Sequence, residues 1–398
     1  MPVSAQKPWV GLAALTCVLL AASCCLAQTD LARYVWETPS LAGKVPPKLA
    51  PVRQELARAV TELLDAGQLA PLYVQIGIAG PEFFFDDSAE TLHALATAYP
   101  WLPQALQQRV KAYLAEVVKA HPPWTRQAYY PLNEGKRREL FDVPEAELAG
   151  GRGYSEPLPL GNLYPVWEYA QCCDEWDRVL AAWPQILAAY DEFKAKNWHL
   201  DPAQGDVYMN RYLSGLIGFA RIARKQGAPQ ADEAARYAAR ELQALLDHYQ
   251  QGVKGLAPKV VENVGQVDAF IGAGDAVFLK VVGHKSKVAK FLELSPEVGR
   301  AVSEQAPAAA KAFVAYVDLV MPGWYLTAEE RQVHFGENFA DYPDFALGVF
   351  QAKALIFNEP ADVLAGYVDL PWCAGDLYYI EKLALTLRAS AKVEWKRP

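Results

Sequence analysis

The chain has 398 residues, of which 52 % are hydrophobic, and a formal net charge of −8 at pH 7. An acidic chain gains little from counterion release, so nucleic acid and anionic membrane surfaces are excluded as expected partners. This length can bury one large hydrophobic core or two ordinary ones. The repeated pattern described below favours a single domain over residues 28–398.

The N-terminus predicts a secretory signal peptide over residues 1–27. Lys7 precedes an apolar run at residues 9–22, and small residues follow that run. We expect cleavage before Gln28 and therefore a secreted or periplasmic protein. Two alternatives stay open: a lipobox-like AASC stretch that would leave a lipidated Cys24, and an uncleaved anchor. Only these two would attach the protein to a membrane.

Three cysteines remain after such cleavage, namely Cys172, Cys173 and Cys373. An oxidising compartment permits one disulfide between Cys373 and either of the adjacent pair. The odd number and the lack of a repeated spacing argue against a fold framed by disulfides. Buried, unpaired cysteines are the other interpretation.

The first strongly patterned segment begins at Asp87, which can cap a helix together with Glu90 three residues later. Apolar residues then recur at helical spacing until Pro100 and Pro103 end the helix. A second helix follows, so this stretch predicts an αα-hairpin. The inward positions are Leu92, Leu95, Ala96 and Tyr99 in the first helix and Leu106, Val110, Tyr113, Leu114, Val117 and Val118 in the second.

Similar hairpins recur along the chain. The predicted helices span 162–169, 179–190, 206–224, 231–250, 295–316 and 344–357, with a closing helix at 376–387 and a turn at 172–177. The inward positions include Val179, Leu180, Trp183, Ile186, Leu187 and Tyr190 in one helix and Ala235, Ala238, Leu242, Leu245 and Leu246 in another. Ser295 before Pro296 is a good helix cap. Asp376 before LYYIEK is interpreted first as an N-cap and second as a binding group at a helix start.

Hairpins repeated at this spacing indicate a helical solenoid or a closed helical toroid. An array of the tetratricopeptide type would have short turns and a fixed period, whereas long connections occupy residues 124–161, 252–294 and 321–344. Long ordered connections usually carry function. We therefore expect an all-α (α/α) toroid of helical hairpins with its long loops gathered at one end.

Three stretches carry a resemblance to a known superfamily: GNLYPVWEYAQCCDEWDRV, DVYMNRYLSGLIGFARIARKQG and GDLYYIEKLALTLRA. Each opens with a polar residue and aromatics and continues with a face of small residues. The pattern resembles the six-hairpin glycosidase-like (α/α) toroid proteins, which include glycoside hydrolases and, in related toroids, polysaccharide lyases. The resemblance implies an oligo- or polysaccharide substrate, but it carries over no catalytic residue.

Other enzyme classes lack their motifs here. The six histidines show neither HExxH nor a zinc-type spacing with cysteine, so neither a metal nor another cofactor is expected. The chain contains no GxSxG elbow and no GxxxxGK[ST] loop, which argues against a serine hydrolase and an NTPase.

Glycoside hydrolysis requires two carboxyl groups that flank the scissile bond. The loop HFGENFADYPDF places Glu337, Asn338 and Asp341 among aromatic residues. Aromatic faces stack on sugar rings, and acidic and amide groups hydrogen-bond sugar hydroxyls, so this loop suits a saccharide site. We predict Glu337 as a catalytic residue and Asn338 and Asp341 as substrate ligands. The alternative is a polar loop in which Asp344 caps the next helix.

Two further groups are candidates. Glu156 is a second predicted catalytic residue, with Tyr154 nearby as a substrate ligand. The alternative interpretation of Glu156 is a surface ion pair with Arg152. Asp206 opens a predicted helix, where hydroxyls and anions can bind, and its alternative is an N-cap. We predict Asp206 as catalytic. Tyr208, Asn210 and Arg211 follow it in the same helical stretch and are predicted substrate ligands.

The stretch FFFDD gives its two aspartates different interpretations. Asp87 fits a helix cap, whereas Asp86 is not needed for capping and lies next to three phenylalanines that could raise its pKa by desolvation. Asp86 is therefore the fourth catalytic candidate. The loop aromatics Trp324 and Trp372 complete the predicted substrate-binding set.

Two alternatives to a hydrolase stay open. A polysaccharide lyase would need a base with Arg or Asn beside a uronate, for which Tyr208, Asn210, Arg211 and His334 supply the residue types. A secreted glycan-binding or scaffold protein would hold a saccharide without cleaving it. The hydrolase is the first choice and the lyase the second.

Overall fold

A computed structural model describes residues 31–42, 44–66, 71–75, 82–86, 88–125, 158–200, 209–262, 294–308, 325, 343–371 and 374–397. These residues are mostly helical with little strand, so the all-α prediction is confirmed. The expected signal peptide and Cys373 lie outside the described residues. Within them, no helix is long and apolar enough to cross a membrane.

The helices are α1 (31–36), α2 (Ala50–Asp65), α3 (Ser88–Ala98), α4 (Gln104–Ala120), α5 (Leu163–Cys173), α6 (Trp176–Ala181), α7 (Trp183–Ala195), α8 (Met209–Gln226), α9 (Gln230–Glu262), α10 (Pro296–Gln305), α11 (Pro343–Leu355), α12 (Ala361–Ala365) and α13 (Leu377–Arg388). Short 3₁₀ helices cover Pro47–Leu49, Tyr99–Trp101 and Pro159–Asn162. The strands are β1 (Thr38–Ala42), β2 (Pro71–Gln75), β3 (Glu82–Asp86) and β4 (Lys392–Lys396).

The helical spacing identified most of the inward faces. All the inward positions predicted for α9 are buried, and so are those predicted for α3 and α4 except Tyr99 and Tyr113, which are half-buried. In α6 and α7, Val179, Ile186 and Tyr190 are buried, while the other three predicted positions are half-buried. Periodicity therefore located the core faces of these helices.

Several predicted helix boundaries are wrong. The helix expected over 295–316 ends as α10 at Gln305. The helix expected to end near residue 250 continues as α9 to Glu262 despite Gly252 and Gly255, because helix propensity is a weak constraint compared with context. The helix expected over 179–190 is split at Ala182, because Pro184 lacks an N–H group and therefore begins a new helix, α7.

Two predicted caps, at Ser295 and Asp376, are present. The cap considered at Asp344 is not, because α11 already begins at Pro343. The Ser295 side chain accepts a hydrogen bond from the Val298 N–H at 3.4 Å. Asp376 accepts from the Tyr378 and Tyr379 N–H groups at 3.0 and 3.2 Å. Asp376 thus has the capping role, which satisfies two of the N–H groups left open at the start of α13.

Six helices contact one another in a closed order, α3 with α5, α8, α10, α11, α13 and then α3 again. We call these six helices the inner series. Other helices pack against its members: α4 contacts α3, α9 contacts α8, and both α2 and α12 contact α13. The core therefore follows the inner series rather than lying between two separate bundles.

Glycines bring α8 unusually close to its neighbours. A Cβ atom on Gly215 would lie 2.2 Å from the Leu160 carbonyl oxygen, and one on Gly218 would lie 2.3 Å from the Leu163 carbonyl oxygen. Since neither separation is compatible with a side chain, both positions require glycine. This contact fixes α8 against the start of α5.

Two small antiparallel sheets accompany the helices. β1 pairs with β4, which joins the described segments nearest the two termini, and β2 pairs with β3. β3 contains the three phenylalanines of FFFDD, which the sequence pattern had not identified as a strand. Aromatic residues favour strands, and here the partner strand β2 is available for pairing. Asp86 ends β3 opposite Pro71.

The turn predicted at 172–177 is shorter than expected. α5 continues through Cys173 and ends at Asp174, whose φ of 54° is left-handed. Cys172 and Cys173 are both free thiols, and burial raises the pKa of each to about 12. Neither is an activated thiolate.

Candidate functional site

A small pocket that encloses about 20 Å³ and is partly open to solvent lies where the first turns of α3, α5 and α8 meet. It is lined by Glu90, His93, Gly161, Tyr164, Pro165, Arg211 and Ser214. The contacting residues are widely separated in the chain, so the pocket depends on the packing of the inner series. The enclosed space is large enough for about one water molecule, so a larger ligand would have to bind at the open side of the pocket.

Arg211 is held in this pocket by contacts on three sides. Its Nη2 donates to Asn162 Oδ1 at 2.6 Å, and its Nη1 lies 3.4 Å from Glu90 Oε1. Asn162 is itself fixed, because its Nδ2 donates to the Pro123 carbonyl at 2.8 Å. A Cβ atom on Gly161 would lie 2.6 Å from Arg211 Cγ, so the glycine makes room for the arginine stem.

His93 lies between two buried carboxylates. Its Nδ1 is 2.5 Å from Glu168 Oε2 on α5, and its Nε2 is 3.6 Å from Glu381 Oε1 on α13. Glu381 also accepts a 2.6 Å hydrogen bond from Gln351 Nε2 on α11. These contacts connect four helices of the inner series through one imidazole.

The surroundings of His93 favour its charged form. Burial by itself would lower the pKa of His93, but the two carboxylates outweigh that effect and raise the pKa well above its ordinary value of 6.5. Burial also raises the pKa of Glu168 in spite of the neighbouring imidazole. A proton is therefore held between His93 and Glu168 at neutral pH.

A second set of buried groups lies beneath Tyr164. The Tyr164 hydroxyl donates to Glu297 Oε2 at 2.7 Å, and Arg221 Nη1 donates to Glu297 Oε1 at 2.8 Å. Burial and then Glu297 raise the pKa of Tyr164 well above 10, so this phenol stays protonated. Arg221 also donates to the carbonyls of Val35 and Glu37, each at 2.8 Å.

We call Glu168, Glu297, Glu381 and Arg221 the ionic floor. The side chains of Glu297, Glu381 and Arg221 are at most 5 % exposed, and that of Glu168 is 13 % exposed. Buried charges are tolerated when each has partners, as these do. In the part of the chain that the structure describes, no group of His, Cys, Asp and Glu could hold a metal ion.

The structure places one predicted residue directly in the pocket, Arg211. Asn210 is next to it and is 1 % exposed, which makes it a buried residue of α8. Asp86 is at the end of β3. The other predicted site residues lie outside the described residues: Glu337, Glu156, Asp206, Asn338, Asp341, Tyr154, Tyr208, Trp324, Trp372 and, for the lyase, His334.

The sequence reasoning missed the residues that surround Arg211. Glu90 had been assigned to a capping box, whereas its carboxylate approaches Arg211. His93, Glu168 and Glu381 each lie in a helix whose pattern otherwise predicts only core and surface. The available signal was a polar residue on an otherwise apolar helix face, as with Glu381 between Ile380 and Leu383.

Comparison with protein-family models, with curated proteins and with solved structures finds no match to this chain.

Proposed function

We propose that this chain is an exported carbohydrate-active protein, a glycoside hydrolase of (α/α) toroid architecture whose active site is the pocket around Glu90, His93 and Arg211. The closed order of contacts in the inner series supports the toroid. In such an arrangement the first turns of α3, α5 and α8 lie at one end of the ring, where the pocket is found.

One observation carries the hydrolase proposal: an acid and a base lie one helical turn apart in the same pocket. Glu90 lies beside the guanidinium of Arg211, which favours the ionised carboxylate. His93 follows three residues later on the same helix and is kept protonated by two carboxylates. General acid–base catalysis requires this pairing.

The proposed catalytic roles follow from the protonation states of Glu90 and His93. Glu90 acts as base or nucleophile at the anomeric carbon. His93, whose Nδ1 is held by Glu168, donates its Nε2 proton to the leaving oxygen, and this nitrogen is 3.6 Å from Glu381 Oε1. This differs from the usual pair of carboxyl groups, because an imidazole stands between the pocket and Glu168. Arg211 and Ser214 are placed to bind sugar hydroxyls.

A polysaccharide lyase is the second candidate, because the pocket also contains the residue types that elimination requires. Tyr164, His93, Arg211 and Asn162 lie together. Against this candidate, Tyr164 and His93 both hold their protons next to carboxylates, so neither is ready to act as a base.

The test uses the exported protein and a panel of neutral and acidic polysaccharides, with reducing ends and unsaturated products measured together. We expect reducing ends without unsaturation. Glu90→Gln should lower the rate about 100-fold or more, the scale of a lost general base. The matched control is Glu116→Gln, since Glu116 is 62 % exposed on α4.

The other outcomes separate the alternatives. Unsaturated products that disappear in Tyr164→Phe would replace the hydrolase with the lyase. Thermal stabilisation by a polysaccharide without any product would identify a glycan-binding protein. Equal rates for Glu90→Gln and Glu116→Gln would remove the pocket from the proposal.

A further inference from the structure

One buried amide, that of Gln351, connects α11 to a carboxylate that faces His93. Residues 346–356 are all buried, and Gln351 itself is 1 % exposed. Its Nε2 donates to Glu381 Oε1 on α13 at 2.6 Å, and its Oε1 accepts from the Leu294 N–H at 3.1 Å. A buried amide is costly unless its polar atoms are bonded, so these two contacts explain how a polar side chain is tolerated here.

The Leu294 N–H fixes which end of the amide faces Glu381. A backbone N–H can only donate, so the oxygen of Gln351 must point toward Leu294 and its NH₂ group toward Glu381. Leu294 is 1 % exposed and immediately precedes Ser295, the cap of α10. The carboxylate of Glu381 is therefore held by a hydrogen-bond donor of fixed orientation.

Glu381 differs from another buried carboxylate, that of Asp369, in the kind of partner it has. Asp369 is paired with Lys382 at 2.8 Å, and a lysine keeps its charge throughout the neutral pH range. Among the described residues, the partners of Glu381 are the uncharged Gln351 and His93, whose Nε2 is 3.6 Å away. In this part of the chain, the cation beside Glu381 is thus the imidazolium of His93.

The charge of His93 depends on carboxylates from two other helices. Glu168 on α5 is 2.5 Å from its Nδ1, and Glu381 on α13 faces its Nε2. Burial lowers the pKa of His93, but these two carboxylates together raise it well above 6.5. The other titratable or charged side chains that line the pocket are Glu90, Tyr164 and Arg211.

We propose that Gln351 is a positioning residue for the general acid: it keeps the carboxylate of Glu381 ionised and facing His93, so that the imidazole holds the proton it donates. This inference rests on the proposed hydrolase function. A hydrogen bond to an ionised carboxylate favours that form, and an ionised carboxylate favours the imidazolium beside it. A lysine in place of Gln351 would instead neutralise Glu381 and weaken its effect on His93.

The experiment titrates His93 by NMR of histidine-labelled protein, in which its signal is the one missing from His93→Gln. In Gln351→Leu we expect the pKa of His93 to fall by about one unit, the scale of a lost hydrogen bond to a charged group. The matched control is Gln107→Leu on α4, which removes a 2.9 Å hydrogen bond to the Tyr99 carbonyl. The same pKa of His93 in both variants would overturn the inference.

A double substitution tests whether Gln351 acts through Glu381. In Glu381→Gln the carboxylate is absent, so the pKa of His93 should fall further than in Gln351→Leu. Adding Gln351→Leu to Glu381→Gln should then produce no further change, whereas two shifts that add would overturn the inference. Circular dichroism of each variant shows that it is folded.

The pH profile of hydrolysis connects Gln351 to the reaction. Activity that needs protonated His93 is lost as the pH rises through the pKa of that group, so the loss should occur at a lower pH in Gln351→Leu than in Gln107→Leu. Hydrolysis with the same profile in both variants would overturn the inference and leave the hydrolase intact. A shifted titration of His93 in a protein that hydrolyses no polysaccharide would overturn the hydrolase and the catalytic role of Gln351, while the charge link to His93 would stand.

Discussion

Gly218→Ala is expected to destabilise the protein by about 3 kcal/mol, the upper end of the range for an overpacked core. The new Cβ would lie 2.3 Å from the Leu163 carbonyl oxygen and 2.5 Å from Tyr164 Cα, both of them backbone atoms. Because backbone cannot rotate away, α8 and α5 would have to separate by about 1 Å, which weakens the dispersion contacts along the interface. Arg211 and Tyr164, on the two sides of the pocket, would move apart as well.

Urea unfolding followed by circular dichroism measures this loss as a lower midpoint with an unchanged slope. Gly366→Ala is the matched control, because Gly366 has a right-handed backbone and its nearest neighbour would be 3.3 Å from the new Cβ. We expect the control to stay within about 0.5 kcal/mol of the wild type. If Gly218→Ala is as stable as this control, the close packing of α8 on α5 is wrong.

Three further predictions concern buried polar groups. Raising the pH from about 6.5 should lower the free energy of unfolding, because the folded pKa of His93 is raised and its stabilisation is lost as pH rises through that value. In His93→Gln the decrease in the free energy of unfolding should occur at a more acidic pH, because the carboxyl group of Glu168 then stays buried without a cation beside it. Asp376→Ala should cost about 1 kcal/mol through loss of the α13 cap. Lys382→Met should cost about 3–5 kcal/mol, because it leaves the carboxylate of Asp369 buried and unpaired, and Lys382→Met with Asp369→Leu should recover much of it.

Each of these has its own measurement. Urea midpoints between about pH 5 and 9 test His93, and identical profiles for wild type and His93→Gln would contradict the raised pKa. For Asp376→Ala, the control is Asp362→Ala in the exposed start of α12, and equal midpoints would contradict the cap. For the buried pair, the control is Lys119→Met, whose ion pair is exposed and contributes little. Lys382→Met as stable as Lys119→Met would mean that Asp369 is not buried.

The sequence alone predicted the helical class, most inward faces and the caps at Ser295 and Asp376. These features are local, since a cap depends on the next three residues and an inward face on a spacing of three and four. The same local reasoning included Arg211 among the candidate substrate ligands. It missed β3, because a strand needs a partner that the local pattern does not identify.

The tertiary structure alone decided which polar side chains meet. Glu90 and Arg211 are 121 residues apart, and Arg221 and Glu297 are 76 apart. Helical periodicity states that a residue faces inward, but it does not state which helix it faces or how near that helix lies. The pocket and its ionic floor depend on that second kind of information, because the pKa of His93 is set by carboxylates from two other helices.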